Sequence, residues 1–160
     1  MGYKIYLFVL CSLFMLPVQA KKDTPLKYDI ECAGGGVQGT YLVQVSVYVG
    51  KKEINPEMIL KAAAHGVIFR GFSGSAGCFS QKAMAKSPAL EQQQANFFHS
   101  FFEDNGAYQG YAKVIEGTFQ TARTSNKKEY KITATVAVQK DQLRKDLEEA
   151  GVLQALSDGF

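Results

Sequence analysis

From Leu26 the chain alternates. Leu26, Tyr28, Ile30 and Cys32 are apolar, while Lys27, Asp29 and Glu31 between them are charged. A period of two predicts a half-buried strand. The stretch Ala33-Gly34-Gly35-Gly36-Val37-Gln38-Gly39 reads as a flexible turn. Tyr41, Val43, Val45, Val47 and Val49 follow, spaced by Leu42, Gln44, Ser46 and Tyr48. They predict a second strand, rich in β-branched residues and paired with the first as a hairpin. A further strand is expected over about Tyr111 to Phe119. The cleanest alternation sets Tyr130, Ile132, Ala134, Val136 and Val138 against Lys131, Thr133, Thr135 and Ala137.

Between these runs the period lengthens. Asn55-Pro56-Glu57 carries a cap, a proline for the first turn and an acid for the positive end of the helix dipole. The helix it starts runs through Met58, Ile59, Ala62 and Ala63 and extends as far as Phe69. Gly66 costs that extension about 1 kcal/mol relative to Ala. The small Ala62-Ala63-Ala64 face allows close approach to a sheet. Ser87-Pro88 starts a second helix, with Leu90, Phe97, Phe98, Phe101 and Phe102 on one side and Asn105-Gly106 at its end. Asp141 is expected to cap a third, with Leu143, Leu147 and Ala150 inward and Gly151 closing it. The order is β-β-α-α-β-β-α. Strands with one polar face suit an α+β fold, a four-stranded, mainly antiparallel sheet with helices packed on one face.

The first twenty residues stand apart. Lys4 precedes the apolar run Ile5–Leu16, and Pro17-Val18-Gln19-Ala20 ends on small residues. This is the layout of a signal peptide cleaved after Ala20, rather than of a buried N-terminal helix. The run is too short to span a bilayer, which takes about 20 residues. Leu10 before Cys11 does not suit a lipid anchor. Residues 21–160 are then a single α+β domain, periplasmic or extracellular, with no transmembrane span.

Loss of Lys4 leaves 17 basic residues against 15 acidic ones. Such balance gives no footprint for nucleic acid. The cluster Arg123, Lys127, Lys128 and Lys131, interrupted by Glu129, reads as a solvated hairpin tip. Cleavage also leaves two cysteines, Cys32 and Cys78. In an oxidising compartment they permit a disulfide, which on the chain-entropy model is worth roughly 4 kcal/mol. The alternative is two buried thiols acting as small hydrophobes.

Candidate chemistry is sparse. Gly71-Phe72-Ser73-Gly74-Ser75-Ala76-Gly77-Cys78 lacks the Lys-Ser/Thr pair of a phosphate-binding loop, because Cys78-Phe79 follows. It also fits no Gly-x-Ser-x-Gly elbow in either frame. Its backbone N–H groups remain the expected contact for any small ligand, at Gly71, Ser73, Gly74, Ser75 and Gly77. Cys78 with His65 or His99 makes a conceivable thiol–imidazole pair. Cys32, Cys78, His65 and His99 have zinc-ligand types without close pair spacing, so neither metal nor cofactor is expected. Glu103-Asp104 and Glu148-Glu149 are adjacent helical residues that point apart. The phenylalanine stripe reads as core, and exposed it would be a docking face.

The stretch from Tyr130 to Leu143, preceded by a strand carrying Gly117 and an alanine-rich helix, resembles a recurring envelope-domain pattern. It is similar to the small α+β domains of the curli secretion-channel family and of flagellar and lipoprotein accessory proteins, over about residues 56–150. The leader and texture also resemble those of secreted proteins of gut Bacteroidetes. The resemblance implies a non-catalytic domain of envelope assembly, although the lipid-anchor cysteine common in those relatives is missing here.

The expected function is therefore protein–protein contact in the envelope, without catalysis. Candidate surfaces are the polar sheet face (Lys131, Thr133, Thr135), the basic tip and the Gly71–Gly77 loop. The alternative is a carrier of a lipid, peptide or sugar, with Phe97, Phe101 and Tyr111 lining a pocket between sheet and second helix. A Cys or Ser hydrolase is the third reading.

Overall fold

The computed structural model describes residues 26–74 and 77–154. Residues 1–25, which hold the expected leader, residues 75 and 76, and residues 155–160 lie outside them. The architecture is α+β: an antiparallel sheet of five strands with helices packed against it. The strands are β1 (Tyr28–Gly34), β2 (Tyr41–Val49), β3 (Ala112–Val114), β4 (Gln120–Arg123) and β5 (Tyr130–Val138). The helices are α1 (Pro56–His65), α2 (Leu90–Gln93), α3 (Ala95–Phe101) and α4 (Lys140–Glu149).

The spatial order is β1-β2-β5-β3, with β4 also paired to β5. Alternation sets the faces. Val43, Val45, Val47, Ile132, Ala134, Val136 and Val138 are buried, whereas Asp29, Glu31 and Gln44 lie on the open side. Ser46 is the one buried polar residue of that side, and its hydroxyl meets the Thr133 hydroxyl at 2.8 Å. The inward residues form one cluster with Ile59, the three alanines of α1, Phe98, Phe101 and Leu143.

Three expectations need correction. The single strand expected over residues 111–119 is split into β3 and β4, so the sheet has five strands rather than four. From Val114 to Gln120 this side advances six residues while β5 advances three, from Val136 to Thr133. The extra residues arch out, and the side chain of Thr118 fills the gap in the ladder. Its hydroxyl accepts from the Thr135 N–H at 3.0 Å and donates to the Ile115 carbonyl at 2.6 Å. The half-buried Thr135 N–H therefore keeps a partner without the ladder.

The second expected helix is two short ones, parted at Gln94 where the backbone leaves helical values (φ −111°, ψ 35°). The halves serve different neighbours: α2 points Glu91 at His65, and α3 sets Phe98 against Phe69. Asp141 is not a cap. Gln139 holds that position without a side-chain bond, and Asp141 sits in the first turn with its N–H donated to the Gly39 carbonyl at 3.2 Å.

Helix α1 starts as expected, with Asn55 Oδ1 accepting from the Glu57 N–H at 2.9 Å. Beyond His65 it widens into a π-turn over Gly66–Arg70, closed by the Gly71 N–H on the Gly66 carbonyl. The freed carbonyls of Val67 and Ile68 accept from Met84 and Ala85. Gly66 is required by packing: a Cβ there would lie 2.7 Å from Ile30 Cδ1.

Candidate functional site

One end of the molecule gathers the glycine turn after β1 and the segment 71–82. The two are joined covalently by a Cys32–Cys78 disulfide, with Cα atoms 6.1 Å apart across 46 residues of sequence. Hydrogen bonds run beside it. The Cys32 N–H donates to the Ser73 carbonyl at 3.0 Å, and the Gly34 N–H points at Cys78 Sγ at 3.1 Å. Phe72 and Gln81 exchange two backbone bonds of 2.9 Å and close the loop on itself. Gly74 allows the tight return, since a Cβ there would stand 2.6 Å from the Cys78 carbonyl oxygen.

Two hollows flank this tie. The larger, about 560 Å³, runs along the outer edge of β1 between Asp29 and Glu31 on one side and Arg70 and Lys82 on the other. The edge of β1 is guarded at both ends. Arg70 Nη1 donates to the Tyr28 carbonyl at 3.1 Å, and Ser73 takes the Cys32 N–H. Covering edge groups in this way hinders strand addition by another chain. The smaller hollow, about 260 Å³, lies over the disulfide, between Tyr41, Leu42 and Phe72 and the glycines of both loops. Phe79 stands on its rim, 86% exposed, and Val37 on the neighbouring turn is 78% exposed.

Gly71 and Ser73 line the larger hollow and Gly77 the smaller, while Ser75 lies outside the described residues. Phe97, Phe101 and Tyr111 line neither. Phe97 stacks on Phe101 at 5.8 Å and Phe101 on Tyr111 at 6.0 Å, and the Tyr111 hydroxyl donates to Asp146 at 2.7 Å. Burial, aided by Asp146, raises that phenol to about 12.

The thiol–imidazole pair does not form. Cys78 sulfur is bonded to Cys32, and both ring nitrogens of His65 are engaged elsewhere. Tyr28 is buried, and that burial raises its phenol to about 12 against the opposing charge of Arg70. It stays protonated and donates to His65 Nδ1 at 2.6 Å. Nε2–H then donates to Glu91 Oε1 at 3.1 Å. Burial holds His65 below its ordinary value of 6.5, against the pull of Glu91. The Arg70 guanidinium lies 4.1 Å over the Tyr28 ring. This relay ties β1, α1 and α2 together, and its phenol is neither ionised nor open to substrate. Its three members lie 37 and 26 residues apart, with no local signal to announce them.

Among the described residues, no three of His, Cys, Asp and Glu converge as a metal site. Glu148 and Glu149 pair with Arg144 and Lys145, one turn back. At the basic tip, Glu129 bonds Lys27 at 2.9 Å and Arg123 bonds the Tyr130 hydroxyl. No helix of the described residues is long and apolar enough to cross a membrane. Comparison with protein-family models, curated proteins and solved structures finds no match to this chain.

Proposed function

We propose that this is a non-catalytic domain of the cell envelope, released to the periplasm or exterior by cleavage near Ala20 and working through contact with another protein. One observation carries the reading: a phenylalanine 86% exposed on the rim of a shallow, uncharged hollow that a disulfide holds in shape. Aromatic residues presented from a fixed scaffold are the usual anchors of protein interfaces. The engaged sulfurs of Cys32 and Cys78 also leave neither residue a thiol to act as a nucleophile. The carrier reading has less to stand on, because its aromatic wall lines neither hollow.

The test is a photo-activatable amino acid at position 79 in intact cells. A covalent adduct with an envelope protein, including another molecule of this chain, is expected. Recovery of the uncrosslinked chain alone would overturn the reading.

A further inference from the structure

We infer that the partner at this end is a second copy of the chain, with Phe79 of each copy seated in the smaller hollow of the other. The inference rests on the contact reading above and names its partner. Knob and hole lie side by side on one surface, since Phe79 is itself part of the rim of that hollow. A two-fold axis between two such surfaces brings each knob to the other's hole, the self-complementary arrangement of a closed dimer.

Charge agrees. None of the twelve residues lining the smaller hollow is charged, in a chain where 21% are. An apolar ring enters without desolvating an ion. The adjoining larger hollow shares Phe72 and Gln81 with the smaller one and sets Asp29 and Glu31 against Arg70 and Lys82. Two acids facing two bases let a second copy approach without net repulsion. The disulfide fixes both walls beforehand, so little chain ordering opposes association.

Two substitutions probe the two halves of the contact and spare the fold. Phe79→Ser removes the knob from a solvated position. Gly35→Leu adds bulk to the wall of the hole: Gly35 lines it, a Cβ there meets nothing within 4 Å, and the residue has no left-handed backbone. Sedimentation equilibrium of residues 21–160, with the bridge intact, should show a dimer. Each substitution should weaken it by about 30-fold or more, the threshold of an interface hot spot, with the unfolding midpoint of the monomer, read at concentrations below dimer formation, unchanged. A wild-type chain that stays monomeric up to ~1 mM overturns the inference. So does a dimer indifferent to both substitutions. If position 79 crosslinks only to a different protein in cells, the second copy is wrong and the contact reading survives. If it crosslinks to nothing, the contact reading itself fails.

Discussion

Phe98 and Phe79 are the same residue in opposite surroundings. Phe98 is 3% exposed, with the rings of Phe69, Phe97 and Phe102 around it. Phe79 is 86% exposed between Cys78 and Ser80. Hydrophobicity does not separate them; periodicity does. Phe97, Phe98, Phe101 and Phe102 recur at helical spacing, so one helix face carries them together against the end of α1, Phe69, Tyr108 and Tyr111. Phe79 lies in no helix or strand, and its loop is tied covalently to β1. The helical region derives its stability from burial, while the tied end derives its shape from a crosslink.

The widest gap between the two should appear on truncation. Phe98→Ala leaves a cavity among close-packed rings and should cost about 3–5 kcal/mol. Phe79→Ala should stay within about 0.5 kcal/mol, as at ordinary surface sites. Denaturant unfolding of the two variants, compared at monomeric concentration, measures both. Equal losses would mean that Phe79 is packed and that the comparison is false.

Much of this division is legible from residues alone. The alternation of Tyr130–Val138 gives β5 its bounds, and Asn55-Pro56 gives α1 its start. What escapes is set by distant partners. The arch between β3 and β4 is stable because Thr118 reaches Thr135, 17 residues away. Glu91-Gln92-Gln93-Gln94 has good helix propensity, so nothing local announces the break at Gln94. Gly66 reads as a helix weakener, yet its position is decided by Ile30 on a neighbouring strand. At the candidate site, the glycines mark the loop. Its covalent partner depends on how residues 71–82 return to β1, and Phe79 belongs to no periodic pattern that would single it out.

The crosslink is the second lever. Replacing Cys32 and Cys78 together by alanine frees a loop of 46 residues' separation. The chain-entropy account puts the loss at about 4 kcal/mol. The loss should fall unevenly. Amide hydrogen exchange should rise around residues 34–36 and 72–81, while the amides of β5 follow the global stability. Uniform acceleration across the sheet would show that the tied end and the packed core unfold as one unit.

The finest distinction is pH. His65 belongs to the packed region: its Nδ1 accepts from buried Tyr28 and its Nε2–H faces Glu91, with Lys61 and Arg70 as nearby cations. Burial, the largest effect, holds its folded pKa below the ordinary 6.5, so above 6.5 both folded and unfolded chains carry the neutral ring. As pH falls through 6.5 the unfolded chain takes up the proton first. Stability then declines until the folded pKa is reached, with a slope of at most about 1.4 kcal/mol per pH unit for one proton. Protonation also removes the acceptor that Tyr28 needs. Comparing the unfolding free energy of the native chain with that of His65→Gln across pH 5 to 8 cancels the carboxylates common to both. The difference should be flat above 6.5 and move against the native chain below it. Parallel curves would mean that this imidazole is solvated. The smaller hollow has no titratable side chain beyond Tyr41 and the bridged cysteines, so association through Phe79 should be indifferent to the same pH change.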